Sequence, residues 1–116
     1  MEIGCGAGRY LKLLKKLGYK CVGVDQDADI LEYARQIVLQ DDKEIELVKG
    51  NILKRIPSVF KERFDLILVK HLSFPLVDLE KALDYAKKAL NPKGHRLLVF
   101  DFMVANKSNI DKEILS

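Results

Sequence analysis

Three glycines occupy alternate positions near the start of the chain, in the stretch EIGCGAG. Glycine loses more backbone entropy on folding than any other residue, so Gly4, Gly6 and Gly8 need a geometric reason to stand so close together. A sharp turn, or a ligand lying against bare main chain, would provide one. Asp25 follows about 20 residues later, which is the spacing at which a carboxylate can hold the hydroxyls of a ribose.

Two nucleotide-type sites fit a glycine turn of this kind, one for a dinucleotide and one for a single nucleoside. The dinucleotide fingerprint GxGxxG, started at Gly4, requires glycine where Arg9 stands, and started at Gly6 it requires glycine at Leu11. The fingerprint fails in both registers. This counts against a nicotinamide-dependent oxidoreductase and favours the single-nucleoside site.

The glycine turn must be held by the elements on either side of it. Residues 1–3 are predicted to be a strand that leads into the turn. After Arg9 the apolar side chains recur at helical spacing, which predicts a half-buried helix that ends at Gly18. The face predicted to be buried consists of Tyr10, Leu13, Leu14 and Leu17.

Strands and helices alternate along the rest of the chain. A buried strand ends at Asp25, and a helix capped by Asp27 follows it. Further strands are predicted in IELVKG, FDLILV and RLLVFDF, with a helix after Pro75 that NPKG interrupts. This alternation predicts an α/β fold, an open, mainly parallel twisted sheet with helices on both faces. Ligands of such sheets bind beyond the carboxyl ends of the strands.

The motifs resemble those of the class I S-adenosylmethionine-dependent methyltransferases. EIGCGAG is similar to the first motif of that family, an acidic residue, an apolar residue and then GxGxG. VGVDQD, GNIL, FDLILVKH and ALNPKGHRLLV resemble the later motifs in the correct order. The resemblance covers nearly the whole chain, from Glu2 to about Phe102. It implies a Rossmann-like sheet with strand order 3-2-1-4-5.

The resemblance also implies where S-adenosylmethionine binds. It places the three glycines against the methionine part of the cofactor, Glu2 near the cofactor's amino group, and Asp25 on the ribose with Gln26 beside it. Asn51, with Ile52 next to it, falls at the adenine. The family usually has an acidic residue at this position, and the Asn51 side-chain oxygen can still accept the hydrogen bond.

His71 is the predicted catalytic residue. It follows the fourth strand, where acceptor and cofactor would meet, and it can act as a base near neutral pH. No Asn-Pro-Pro-Tyr stretch follows that strand, which argues against methylation of nucleic-acid bases. A small-molecule or protein methyl acceptor is therefore favoured, and a nucleic acid is not expected.

The resemblance indicates a single domain over residues 1–116 that lacks the N-terminal helix and the last two strands of the family. A strand of only three residues in the middle of the sheet would leave a gap beside it. Three explanations are open: a partner protein or a second copy of the chain completes the sheet, the coding sequence starts further upstream, or the chain is a degraded relic. A truncated, non-catalytic module that binds the cofactor or a partner is the alternative function.

Composition limits the remaining classes of function. The chain has 116 residues and a formal net charge of +3, which is too small to imply a polyanionic partner. Two cysteines provide neither a disulfide framework nor metal-ligand spacing, so no metal is expected. No apolar run reaches the length of a membrane span. A reducing cytoplasm is the predicted location.

Overall fold

The computed structural model describes residues 1–69, 79–93 and 97–100, the last of these as backbone. The elements are, in chain order, β1 (Glu2–Ile3), α1 (Arg9–Lys16), β2 (Val22–Asp25), α2 (Ala28–Tyr33), a π-helical segment (Ala34–Val38), β3 (Glu46–Lys49), a 3-10 turn (Ser58–Phe60), β4 (Leu66–Val69), α3 (Leu79–Ala89) and β5 (Leu97–Phe100).

The five strands form one parallel sheet with the order β3-β2-β1-β4-β5. The predicted fold class and strand order are therefore confirmed. The short strand β1 lies in the centre, where Glu2 pairs with Gly23 on one side and Leu68 on the other. A cavity of about 770 Å³ opens beside Met1 at the amino ends of β2 and β4.

Helices cover both faces of the sheet. Successive right-handed crossovers from β1 to β2 and from β2 to β3 place α1 and α2 on one face, and the crossover from β4 to β5 places α3 on the other. The buried side chains form two clusters accordingly. One cluster includes Phe60 and Tyr85 of the α3 side, and the other includes Leu11 and Leu39 of the α1 side.

The predicted buried face of α1 is wrong in its orientation. Leu11 is the buried residue of the helix, with 1% exposure, whereas Tyr10, Leu13 and Leu17 are 46%, 52% and 67% exposed. In this orientation Leu11 packs over Gly23 of β2, and two lysines of α1 bind the segment that follows α2. Lys12 Nζ donates to the Val38 carbonyl at 3.2 Å, and Lys15 Nζ lies 2.7 Å from an Asp42 carboxylate oxygen. A wide apolar arc then faces solvent.

The start of α2 follows the sequence prediction. The Asp27 side chain accepts hydrogen bonds from the backbone N–H groups of Asp29 and Ile30, which is the N-cap arrangement. After Tyr33 the helix continues into the π-helical segment, whose apolar side chains are only partly covered. Ala34 is buried and Ile37 is 54% exposed. In the described part of the chain no helix is long and apolar enough to cross a membrane.

Candidate functional site

The glycine turn lies at the carboxyl edge of the two central strands. Directly after β1, the backbone N–H groups of Gly4 and Cys5 both donate to the Val24 carbonyl, at 2.7 and 3.1 Å. Gly4, Gly6 and Gly8 all have positive φ, at 75°, 53° and 85°. Residues other than glycine rarely adopt this left-handed backbone conformation, so the shape of the turn explains why glycine stands at these alternate positions.

Two of these glycines differ in what surrounds them. Gly8 is the N-cap residue of α1, and a Cβ added to it would lie 2.8 Å from Leu39 Cδ1. A Cβ added to Gly6 would meet no heavy atom within 4 Å. Gly8 is therefore fixed by packing against the protein interior, whereas Gly6 borders open space.

Asp25 binds the glycine turn directly. Its Oδ2 accepts a hydrogen bond from the backbone N–H of Gly6 at 2.9 Å, and its Oδ1 accepts one from the backbone N–H of Asp27 at the same distance. The carboxylate therefore joins the end of β2 to the turn after β1 and to the start of α2. The glycine turn and Asp25, the two sequence features that could bind a nucleoside, are thus in contact.

A cavity of about 430 Å³ lies between this turn and the ends of β1 and β2. Its volume is in the range of about 300–1,000 Å³ that small-molecule sites occupy. Seven of the residues predicted to bind the cofactor line it: Glu2, Gly4, Gly6, Gly8, Asp25, Gln26 and Ile52. The structure adds residues to this lining that the sequence analysis did not assign to the site: Ile3, Cys5, Ala7, Arg9, Tyr10, Val24, Gly50 and Leu53.

The sequence positions of some of these added residues indicate that they lie near the cavity. Arg9 and Tyr10 directly follow the glycine turn, so they must lie at the edge of any ligand that the turn holds. Gly50 and Leu53 are the first and last residues of the motif GNIL, on either side of Asn51 and Ile52. Periodicity assigned Tyr10 to a buried helical face, and this hid its position at the cavity.

Asn51 is turned toward its own loop. Its Oδ1 accepts a hydrogen bond from the backbone N–H of Leu53 at 2.9 Å, which forms an Asx turn. Asn51 is not part of the cavity lining, although its neighbours Gly50 and Ile52 are. Its role at an adenine therefore stays a prediction.

Two further side chains of the cavity are buried. Glu2 is 2% exposed and precedes the glycine turn. Burial raises the pKa of the Cys5 thiol to about 12, and the negative charges of Asp25 and Glu2 contribute to the increase. Cys5 is therefore a neutral thiol at physiological pH.

The remaining site predictions concern residues or groups that the cavity does not include. His71 lies outside the described residues. Among the residues that the structure describes, no group of three His, Cys, Asp or Glu side chains is placed to hold a metal ion.

Comparisons with known proteins identify the family. The family model described as a methyltransferase domain matches residues 1–98. A TehB-like SAM-dependent methyltransferase from Corynebacterium glutamicum is 28% identical, with a TM-score of 0.65 over 84% of this chain and 51% of that protein. A SAM-dependent methyltransferase from Mesorhizobium loti is 25% identical, with a TM-score of 0.69 over 85% of this chain and 44% of its own.

The PH0226 protein from Pyrococcus horikoshii OT3 is 25% identical, with a TM-score of 0.72 over 85% of this chain and 47% of that protein. No curated protein matches the chain significantly. The chain spans about half the length of these solved structures. The match of the family model over most of the chain, together with the sheet order and the motifs, shows that the chain belongs to the class I S-adenosylmethionine-dependent methyltransferase family.

Proposed function

We propose that the chain binds S-adenosylmethionine in the cavity at the carboxyl edge of β1 and β2, and that it transfers the methyl group to a small-molecule or protein acceptor. The observation that carries this proposal is the contact between Asp25 and Gly6 at the wall of a cavity of suitable volume. A carboxylate and a glycine backbone that borders open space at Gly6 are placed together where ligands of parallel sheets bind.

The lining residues suit the three parts of the cofactor. The main chain of Gly4 to Gly8 would lie against the methionine part, because the left-handed glycines leave no Cβ in the way at Gly6. Glu2 would lie near the amino group of the cofactor's methionine part. Asp25 uses one acceptor site on each carboxylate oxygen for a backbone N–H, so each oxygen keeps capacity for a ribose hydroxyl.

The adenine would lie beside the loop that follows β3. Ile52 is 2% exposed, and with Leu53 it provides an apolar wall to the cavity. Gln26, directly after Asp25, borders the same space. Asn51 holds the turn that presents these residues, through its hydrogen bond to Leu53.

When it is bound, the cofactor supplies a methyl group already activated on a sulfonium. The residues of the chain would therefore act mainly by orienting the two reactants. Since Cys5 stays protonated at neutral pH, it offers no thiolate that competes with the acceptor. His71 is proposed as the base for acceptors that must lose a proton, a role that rests on the sequence.

Calorimetry with S-adenosylhomocysteine tests the site, and the chain offers a matched pair of variants. Gly6 and Gly18 both have positive φ and open space at the Cβ position, but only Gly6 lines the proposed cofactor cavity. Gly6→Ala and Gly18→Ala should therefore cost a similar free energy of folding, about 1–2 kcal/mol. Only Gly6→Ala should weaken the binding of S-adenosylhomocysteine, by about tenfold or more, which corresponds to about 1.4 kcal/mol.

Two results would contradict the cofactor site. The first is absence of heat with the wild-type protein at millimolar ligand, and the second is equal affinity of the wild type and Gly6→Ala. Methyl transfer is then measured with labelled cofactor against separate pools of small molecules and proteins. Binding without transfer to either pool would favour the non-catalytic module instead.

A further inference from the structure

Helix α1 exposes an apolar stripe beside a row of positive charge. Tyr10, Leu13 and Leu17 recur at helical spacing and are about half exposed or more. The helix has no acidic residue in its sequence RYLKLLKK. Two of its four cations, Lys12 and Lys15, are engaged with the chain's own Val38 and Asp42. Arg9 and Lys16 are exposed.

Helix α2 shows the opposite charge on the same face of the sheet. Asp29 and Glu32 are exposed, and they lie beside two exposed apolar side chains, Tyr33 at 45% and Ile37 at 54%. The one basic residue of α2 and its π-helical continuation is Arg35. Its guanidinium donates to the carbonyls of Asp42 and Ile45 within the same chain. The outward charge of this helix is therefore negative.

We propose that a second copy of the chain docks on this helical layer, with the basic, apolar surface of α1 against the acidic, apolar surface of α2 of the other copy. Charge complementarity argues for this occupant, because each copy carries both the surface and its complement. The two helices lie in one layer, so a two-fold axis allows both contacts to form at once. Burial of the exposed apolar side chains would stabilise the pair.

The proposed interface meets the cofactor cavity only at Arg9 and Tyr10, and the positions changed in the test lie outside that cavity. Lys16, Leu13 and Ile37 are not part of the cofactor cavity, so changes at these positions separate association from ligand affinity. Failure of the dimer would leave the proposed cofactor site untouched, and the reverse also holds.

Analytical ultracentrifugation of charge-reversal variants tests the proposal. The wild type should associate reversibly as its concentration rises, and more weakly in high salt. Lys16→Glu and Glu32→Lys should each raise the dissociation constant about tenfold or more, since attraction becomes repulsion on both contacts. An equimolar mixture of the two variants should associate again, because each contact then joins opposite charges.

Controls distinguish the helical layer from a general charge effect. Lys87→Glu lies on α3, which covers the other face, and it should leave association unchanged. Leu13→Gln and Ile37→Gln should weaken association without altering circular dichroism, because both side chains are more than half exposed. A wild type that is monomeric at every concentration, or a mixture that stays monomeric while the wild type associates, would overturn the proposal.

Discussion

The carboxylate of Asp25, at the end of β2, accepts a hydrogen bond from the backbone N–H of Gly6, in the turn after β1. Nineteen positions separate these residues in the chain. Asp25 also accepts from the backbone N–H of Asp27. The same side chain that is proposed to hold the ribose therefore shapes the loop against which the rest of the cofactor lies.

Replacement of Asp25 should consequently destabilise the protein even without ligand. Asp25→Ala leaves two backbone N–H groups without their acceptors, and we expect the free energy of unfolding in urea to fall by about 1–3 kcal/mol. Asp25→Asn keeps one acceptor oxygen, so its free energy of unfolding should lie between those of the wild type and Asp25→Ala. Asp41→Ala, at an exposed aspartate, is the control. Unchanged stability of ligand-free Asp25→Ala would show that the carboxylate does not hold the turn.

Gly23 of β2 is required for close packing of α1 on the sheet. A Cβ added there would lie 2.5 Å from Leu11 Cδ1, 2.9 Å from Cys5 Sγ and 3.0 Å from Leu47 Cδ2. Overpacking of this kind costs about 1–3 kcal/mol, so Gly23→Ala should lower the denaturation midpoint clearly. Lys49→Ala, at an exposed position of β3, should change it little. A Gly23→Ala protein as stable as the wild type would mean that α1 can shift away from the sheet.

The Cys5 thiol should make stability depend on alkaline pH. Because the pKa in the folded protein is about 12 and the ordinary value is 9.0, the unfolded chain loses the thiol proton first. The contribution of Cys5 to stability is therefore complete below pH 9 and declines as the pH rises from about 9 toward 12. The measurement is the difference in unfolding free energy between the wild type and Cys5→Ala at several pH values. The effects of the other titrating groups are common to both proteins and therefore cancel in this difference. A difference independent of pH would contradict the buried, neutral thiol.

Particular residues explain how much the sequence could predict. The glycine turn and Asp25 were identifiable because glycine type and strand ends report backbone geometry directly. The rotation of α1 was not, because its apolar residues cover too wide an arc to select one face. Leu11 and not Leu13 is buried because Leu11 packs over Gly23 of β2 and into the cluster with Leu39, and the contact of Lys15 with Asp42 accompanies this rotation. Such long-range contacts leave no local pattern.

Asn51 is the position where sequence and structure suggest different roles. By resemblance its side chain accepts a hydrogen bond from the adenine amino group, whereas in the structure its Oδ1 accepts from the Leu53 N–H and holds a turn. Asn51→Asp keeps an acceptor for Leu53 and adds a second carboxylate oxygen that is free to face the base. If the residue reads the adenine, Asn51→Asp should bind S-adenosylhomocysteine more tightly by up to about tenfold, because hydrogen bonds to charged groups are stronger.

Asn51→Ala separates the two roles further, since it removes both the turn and the acceptor. For a residue that only shapes the loop, Asn51→Ala should lower affinity and stability together, and Asn51→Asp should match the wild type in both. For a residue that reads the base, affinity should be highest for Asn51→Asp, lower for the wild type and lowest for Asn51→Ala. The stabilities of Asn51→Asp and the wild type should then be nearly equal. Calorimetry and urea unfolding on the three proteins distinguish these patterns, and weaker binding by Asn51→Asp with unchanged stability would exclude the adenine contact.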